Sequence, residues 1–207
     1  MLYEFTLAQL ISLFFGSTFE IYAITVGLYT FSLGLGALYY EKKLKGKQRD
    51  SLLLKVEVFL SITALLSPFL IVYLSSTKSL ISIGWLAKTI SFAPVFLCGW
   101  LSGIELPCLL NFSKEKSEED VLFVDFFGMF VGAILFSLVL IDSLGPLKLI
   151  WTLCLLNIVT IFTFLYFNRS KVSKEFLLSG AISFCLISFC LVNELSIIKF
   201  FRDLHSV

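Results

Sequence analysis

Residues 21–40 read IYAITVGLYTFSLGLGALYY and run directly into EKKLKGKQRD at residues 41–50. The first stretch has no charged side chain and is about the 20 residues a helix needs to cross the roughly 30 Å hydrocarbon core of a bilayer. The second carries Lys42, Lys43, Lys45, Lys47 and Arg49, the strongest stop signal in the chain. An apolar helix ending on a basic cluster reads as a membrane span whose basic end faces the cytoplasm.

The rest of the chain repeats this pattern. Of 207 residues, 58% are hydrophobic and 16% aromatic, and the mean hydropathy is +0.95. Soluble domains hold roughly 45–50% apolar residues, and a globule of this size has too little interior to keep the excess from water. Charged and turn-forming breaks predict seven spans at about residues 2–19, 21–40, 52–74, 80–101, 121–141, 147–167 and 176–193. The expected fold is an all-α bundle forming a single transmembrane domain over 1–207, with 194–204 a candidate interfacial amphipathic helix. Gly16 to Glu20 is expected to close a tight hairpin between the first two spans.

Alternate loops differ in charge. One side holds Lys42, Lys43, Lys45, Lys47, Arg49, Lys55, Lys114, Lys116, Arg169, Lys171 and Lys174, and the other only Lys78, Lys148, Lys199 and Arg202. The basic excess predicts a cytoplasmic N terminus, and seven crossings then leave the C terminus outside. The opening segment lacks a basic start and carries Glu4, so no cleavable signal peptide is expected. A net charge of +1 supplies no drive toward nucleic acid.

Several chemistries are poorly supported. Cys98, Cys108, Cys154, Cys185 and Cys190 lie in or beside apolar segments without the paired spacing of zinc or redox sites, and His205 is the only histidine. No metal, cofactor or catalytic residue is therefore assigned. Small residues recur on the second span at Ala23, Gly27, Thr30, Gly34 and Ala37, with Gly99 and Gly103 on the fourth and Gly128 and Gly132 on the fifth. Such faces let backbones approach closely. Gly27, Gly34, Gly128 and Gly132 are the expected packing glycines; ordinary packing within the molecule competes with a dimer interface or ligand groove.

Ionisable groups inside spans carry more information, because a charge at mid-bilayer costs about 2.5–3.5 kcal/mol even on insertion scales. Glu4, Glu20, Glu57, Lys88, Glu105 and Asp125 qualify, with Gln9 and Asn157 as neutral companions. Glu20, Glu57 and Glu105 lie near span ends, where snorkelling to the interface is the plain alternative. Pro107 follows Glu105 closely and is expected to break or kink the helix there, while Pro94 and Lys88 make the fourth span irregular. Glu4, Gln9, Glu105, Asp125 and Asn157 form the candidate ligand set, converging on one polar cavity. Lys88 is a candidate internal counter-charge for it.

Leu2-Tyr3-Glu4 with Gln9, Ile24-Thr25-Val26-Gly27-Leu28, Phe31-Ser32-Leu33-Gly34-Leu35-Gly36, Gly103-Ile104-Glu105-Leu106-Pro107, Val124-Asp125-Phe126-Phe127-Gly128 with Gly132 and Phe136, and Leu156-Asn157 together show a resemblance. In order and approximate spacing they resemble the N-terminal transmembrane domain of the spermidine synthase-like (polyamine aminopropyltransferase-like) bacterial membrane proteins. The resemblance implies a multi-pass protein of the bacterial inner membrane. In that family the membrane region precedes a soluble domain that binds S-adenosylmethionine-type donors through a glycine-rich turn and handles the amine with an acidic residue. These 207 residues show no match to that half, so no aminopropyltransferase domain is expected within them.

Three functions compete. The first is a membrane subunit or binding module that recognises a small cationic or lipid-linked ligand, or serves a separately encoded soluble synthase or other membrane protein. It suits the carboxylates, since a polyamine is a chain of ammonium groups that carboxylates pair with. The second is a transporter or exporter of a cationic solute such as a polyamine, though no inverted repeat is evident. The third is an intramembrane transferase with a carboxylate base, for which no nucleophile motif appears. Expected partners are the bilayer and one of these ligands or proteins, not nucleic acid.

Overall fold

The computed structural model describes residues 2–44, 49–76, 84–112 and 118–167, and these are helical with no strand among them. In chain order the helices are α1 (Leu2–Phe15), α2 (Thr18–Tyr39), α3 (Arg49–Ser76), α4 (Gly84–Ile90), α5 (Ala93–Phe112), α6 (Glu118–Leu135) and α7 (Ile141–Phe167). A π-helical turn, Tyr40–Leu44, prolongs α2, and another, Phe136–Leu140, joins α6 to α7.

Four segments are long and apolar enough to cross a membrane: Thr18–Leu44, Leu52–Ser75, Trp85–Asn111 and Glu119–Thr163. The expected count of seven is not met among the described residues, for three separate reasons. The first helix stops at Phe15 instead of residue 19, because Gly16 (φ 72) and Ser17 (φ 52) turn the chain through left-handed backbone. At 14 residues it rises only about 21 Å. The fifth and sixth expected spans form one helical run of 45 residues, about 67 Å if straight. That run bends inside α7, where Gly145 (φ 70, ψ 166) precedes Pro146. The seventh expected span, 176–193, and the interfacial helix, 194–204, lie outside the described residues.

The short α1 is the centre of the bundle and packs against α2, α3, α5 and α7. Leu7, Leu10 and Ile11 are sealed from solvent, as are Ile21 on α2, Val95 and Cys98 on α5, and Ile150, Trp151 and Cys154 on α7. Cys98, Cys108 and Cys154 are buried free thiols, so they serve as small core residues. The outer surface is equally apolar: Phe31 on α2, Tyr73 on α3, Trp85 on α4, and Phe123 and Phe130 on α6 are all more than 60% exposed. Soluble monomers rarely expose contiguous apolar surface on that scale; hydrocarbon removes the penalty.

The closest helix contact joins α2 to α5. A Cβ at Gly36 would collide with the Trp100 carbonyl, one at Gly99 would stand 2.7 Å from the Tyr29 carbonyl oxygen, and one at Gly103 would strike the Leu33 carbonyl. Tyr39 and Trp100 pack ring against ring beside this seam, centroids 5.3 Å apart and tilted by 55°. The face defined by Ala23, Gly27, Thr30 and Gly34 points elsewhere: these residues are exposed, and Cβ atoms at Gly27 and Gly34 would meet nothing within 4 Å. Gly128 is likewise open, and Gly132 touches only the Leu2 side chain, at 3.5 Å for an added Cβ. The intramolecular seam uses Gly36, Gly99 and Gly103 because α2 is apolar all round, and its rotation is set by what it packs on.

Prolines act differently from expectation as well. Helix α5 continues through Pro107 to Phe112, so no break follows Glu105. The interruption comes before Pro94, at Ser91 and Phe92, which separate α4 from α5. In α3, Pro68 cannot donate to the Ala64 carbonyl, and Ser67 Oγ donates to it instead at 2.7 Å.

Candidate functional site

Helix starts and stops set the depth of the acidic groups. Because α3 begins at Arg49, Glu57 lies eight residues inside it, about 12 Å along the axis. Glu105 precedes the end of α5 at Phe112 by seven residues, a similar depth of about 10 Å. Both therefore lie at one level of the bundle, on the side where α1 begins and α7 ends.

There the helices part around a partly open cavity of about 580 Å³, lined by Tyr3, Tyr29, Glu57, Ser102, Glu105, Asn157 and Thr160 with a leucine-rich wall. That volume falls in the range of small-molecule sites, roughly 300–1,000 Å³. The Glu57 and Glu105 carboxyl groups meet within it as a hydrogen-bonding pair. Two carboxylates in contact repel unless a proton or cation lies between them. Asn157 Nδ2 donates to the Glu57 carbonyl oxygen at 3.5 Å, a long bond that ties α7 to α3. Tyr29 contacts Ser102 through its hydroxyl and interacts with both Glu105 and Glu4. No Lys or Arg is among the described lining residues.

The Tyr3 hydroxyl faces Asn157 and Cys154 on α7, and on α1 Glu4 Oε2 is buried with no hydrogen-bond partner among the described residues, on a residue only 2% exposed. Leaving a buried polar atom unpaired costs about 1–3 kcal/mol, and more for a charged one.

Of the candidate ligand set, Glu105 and Asn157 lie on the cavity, and Glu4 is buried on α1 outside its lining. Asp125 interacts electrostatically with Glu105 but is exposed on α6, outside the lining. Gln9 is turned to the α1–α2 contact, where its Oε1 accepts from the Tyr22 hydroxyl at 2.7 Å. Lys88 is not the internal counter-charge: its Nζ pairs with Glu20 at 3.1 Å, away from the cavity. The sequence leaves Glu57 open between an intramembrane role and interfacial snorkelling, and Tyr3, Tyr29, Ser102 and Thr160 carry no signal as site residues. The extension of α3 by three residues before residue 52 could have placed Glu57 deeper; nothing in the apolar pattern marks the tyrosines. Among the described residues, no cluster of His, Cys, Asp and Glu has the arrangement of a metal site.

The chain is 24% identical over 215 aligned residues to a polyamine aminopropyltransferase of Oceanobacillus iheyensis, covering 99% of this chain and 41% of that protein. It thus spans about two fifths of the length of the curated relative it matches. No protein-family model matches, and no solved structure is similar.

Proposed function

We propose that this chain is a multi-pass module of the bacterial cytoplasmic membrane that binds a small organic ammonium ion, of the polyamine class, in the cavity between α1, α3, α5 and α7. One observation carries the reading: Glu57 and Glu105 bring two carboxyl groups together in a cavity with no Lys or Arg among its described lining residues. An ammonium group supplies both the charge and the donors such a pair lacks. The leucine-rich wall suits the methylene part of an alkylamine, and the Tyr29 ring offers a cation–π face. The similarity to a polyamine aminopropyltransferase supports the choice of ligand class. On this reading the module serves a synthase activity carried elsewhere, on the same polypeptide or a partner.

Lys42 and Lys43, in the turn that prolongs α2, share one end of the bundle with the cavity; that end is cytoplasmic in the proposed topology, so the ligand enters from the cytoplasm.

The test is equilibrium binding of labelled spermidine to the full chain in lipid nanodiscs. Glu105→Gln removes one charge while keeping shape, and affinity is expected to fall about tenfold to a hundredfold, the worth of roughly 1.5–3 kcal/mol for a charged hydrogen bond. Wild-type affinity in a folded Glu57→Gln, Glu105→Gln double variant would refute the proposal.

A further inference from the structure

The Lys88 and Glu20 pair stands at the end of the bundle away from the amine cavity. Helix α2 begins at Thr18, so Glu20 lies in its first turn, and Lys88 on α4 reaches it with Nζ 3.1 Å from Oε1. Beside the pair an open groove of about 380 Å³ separates α2 from the junction of α4 and α5, lined by Ile24, Leu28, Thr89, Phe92, Ala93 and Phe96. The register explains why pair and groove adjoin. Glu20, Ile24 and Leu28 recur every fourth residue on one face of α2, and Lys88, Phe92 and Phe96 repeat that spacing across the facing junction. From Glu20 to Leu28 the groove follows α2 for about 12 Å. Thr89 is the only polar lining residue among the described ones, and its hydroxyl donates to the Trp85 carbonyl of its own helix at 2.9 Å. The walls thus offer little but hydrocarbon, with both signs of charge at one end.

We infer that this groove holds an acyl chain of a phospholipid whose headgroup carries a phosphate and a primary ammonium, the phosphate on Lys88 and the ammonium on Glu20. The ion pair leaves room for both. An ammonium has three N–H donors and a carboxylate about four acceptor positions, and the Glu20 and Lys88 side chains are 56% and 27% exposed. Trp85, one turn before Lys88 and 71% exposed, suits the membrane interface, where tryptophan collects at the level of the headgroups. The acyl chain gains little by entering the groove, because lipid tails are as apolar as its walls. Selectivity therefore comes from the headgroup. A purely anionic headgroup meets Lys88 but is repelled by Glu20, and a quaternary ammonium has no N–H to give the carboxylate. The site is independent of Glu57 and Glu105 and stands whether or not the cavity between them binds an amine.

The experiment is native mass spectrometry of the full chain, delipidated in detergent and re-equilibrated with equal amounts of dioleoyl phosphatidylethanolamine, phosphatidylcholine and phosphatidylglycerol. The phosphatidylethanolamine adduct is expected to be about tenfold tighter than either of the others, the effect of one additional charge-assisted contact. Glu20→Gln should remove that advantage and Lys88→Gln should weaken all three lipids. Ala93→Phe, at an exposed position in the first turn of α5, should fill the groove and displace them. Exposed ion pairs contribute little to folding, so the charge variants should keep the wild-type circular dichroism. Equal retention of the three lipids by the wild type would overturn the inference, as would a phosphatidylethanolamine preference that survives Glu20→Gln or Ala93→Phe. Dimers in the same spectra that vanish on Ala93→Phe would assign the groove to a second copy of the chain and overturn it too. The wild-type comparison needs no variant, so it decides the matter even if one fails to fold.

Discussion

Gly103→Ala isolates the contact on which the bundle's geometry depends. The added methyl would lie on the Leu33 carbonyl oxygen, with the Leu33 carbonyl carbon at 2.8 Å and its Cα at 2.9 Å. Relaxed contacts between carbon atoms are about 3.5–4.0 Å, so α2 and α5 must part by about 1 Å. All three atoms belong to backbone and no side chain can turn aside. Overpacking costs about 1–3 kcal/mol, and three simultaneous backbone clashes put this case near the upper end. Replacing glycine in a helix returns about 0.8–1 kcal/mol. The net loss is about 2 kcal/mol, equivalent to a midpoint about 4–8 °C lower for a chain of this size. Thermal unfolding of the full chain in detergent, followed by far-UV circular dichroism and tryptophan fluorescence, measures it. Gly36→Ala should behave alike, since its methyl would strike Trp100 from the opposite helix. The Gly36→Ala, Gly103→Ala double variant should lose less than the sum, because separation caused by one methyl admits the other. Gly34→Ala, open on its outer side, should melt with the wild type or slightly above it. A Gly103→Ala protein as stable as wild type, or a Gly34→Ala protein equally weakened, would refute the assignment of the seam.

Reporter fusions after Lys43 and after Arg169 should report the cytoplasm, and fusions after Ser17 and Ser143 the opposite side; a Lys43 fusion on the outer face would invert the proposed topology and the direction of ligand entry. Gly145→Ala should lower the unfolding midpoint, because φ 70 with ψ 166 is backbone that a side chain enters at a cost of about 1–3 kcal/mol. An unchanged midpoint would mean that α7 does not bend at this residue.

Much of this protein follows from the order of its residues. Runs of apolar residues as long as 21–40, stopped by clusters such as 41–50, require helices, because backbone polar groups in hydrocarbon must pair within the segment. The expected boundaries at residues 40, 52, 121 and 147 fall within a few residues of a helix end or of the bend at Gly145. The helices' interior acids were equally visible, since so few charged residues interrupt the runs. Which of them meet was decided only by tertiary packing. Glu57 joins Glu105, Gln9 turns toward Tyr22, and Lys88 goes to Glu20. Likewise Gly36 and Gly103, not Gly27 and Gly34, form the close contact. In a soluble helix the apolar stripe names the inward face. Here lipid and protein interior are both apolar, so the sequence specifies that α2 is a helix but leaves its rotation to the packing of α5 against it.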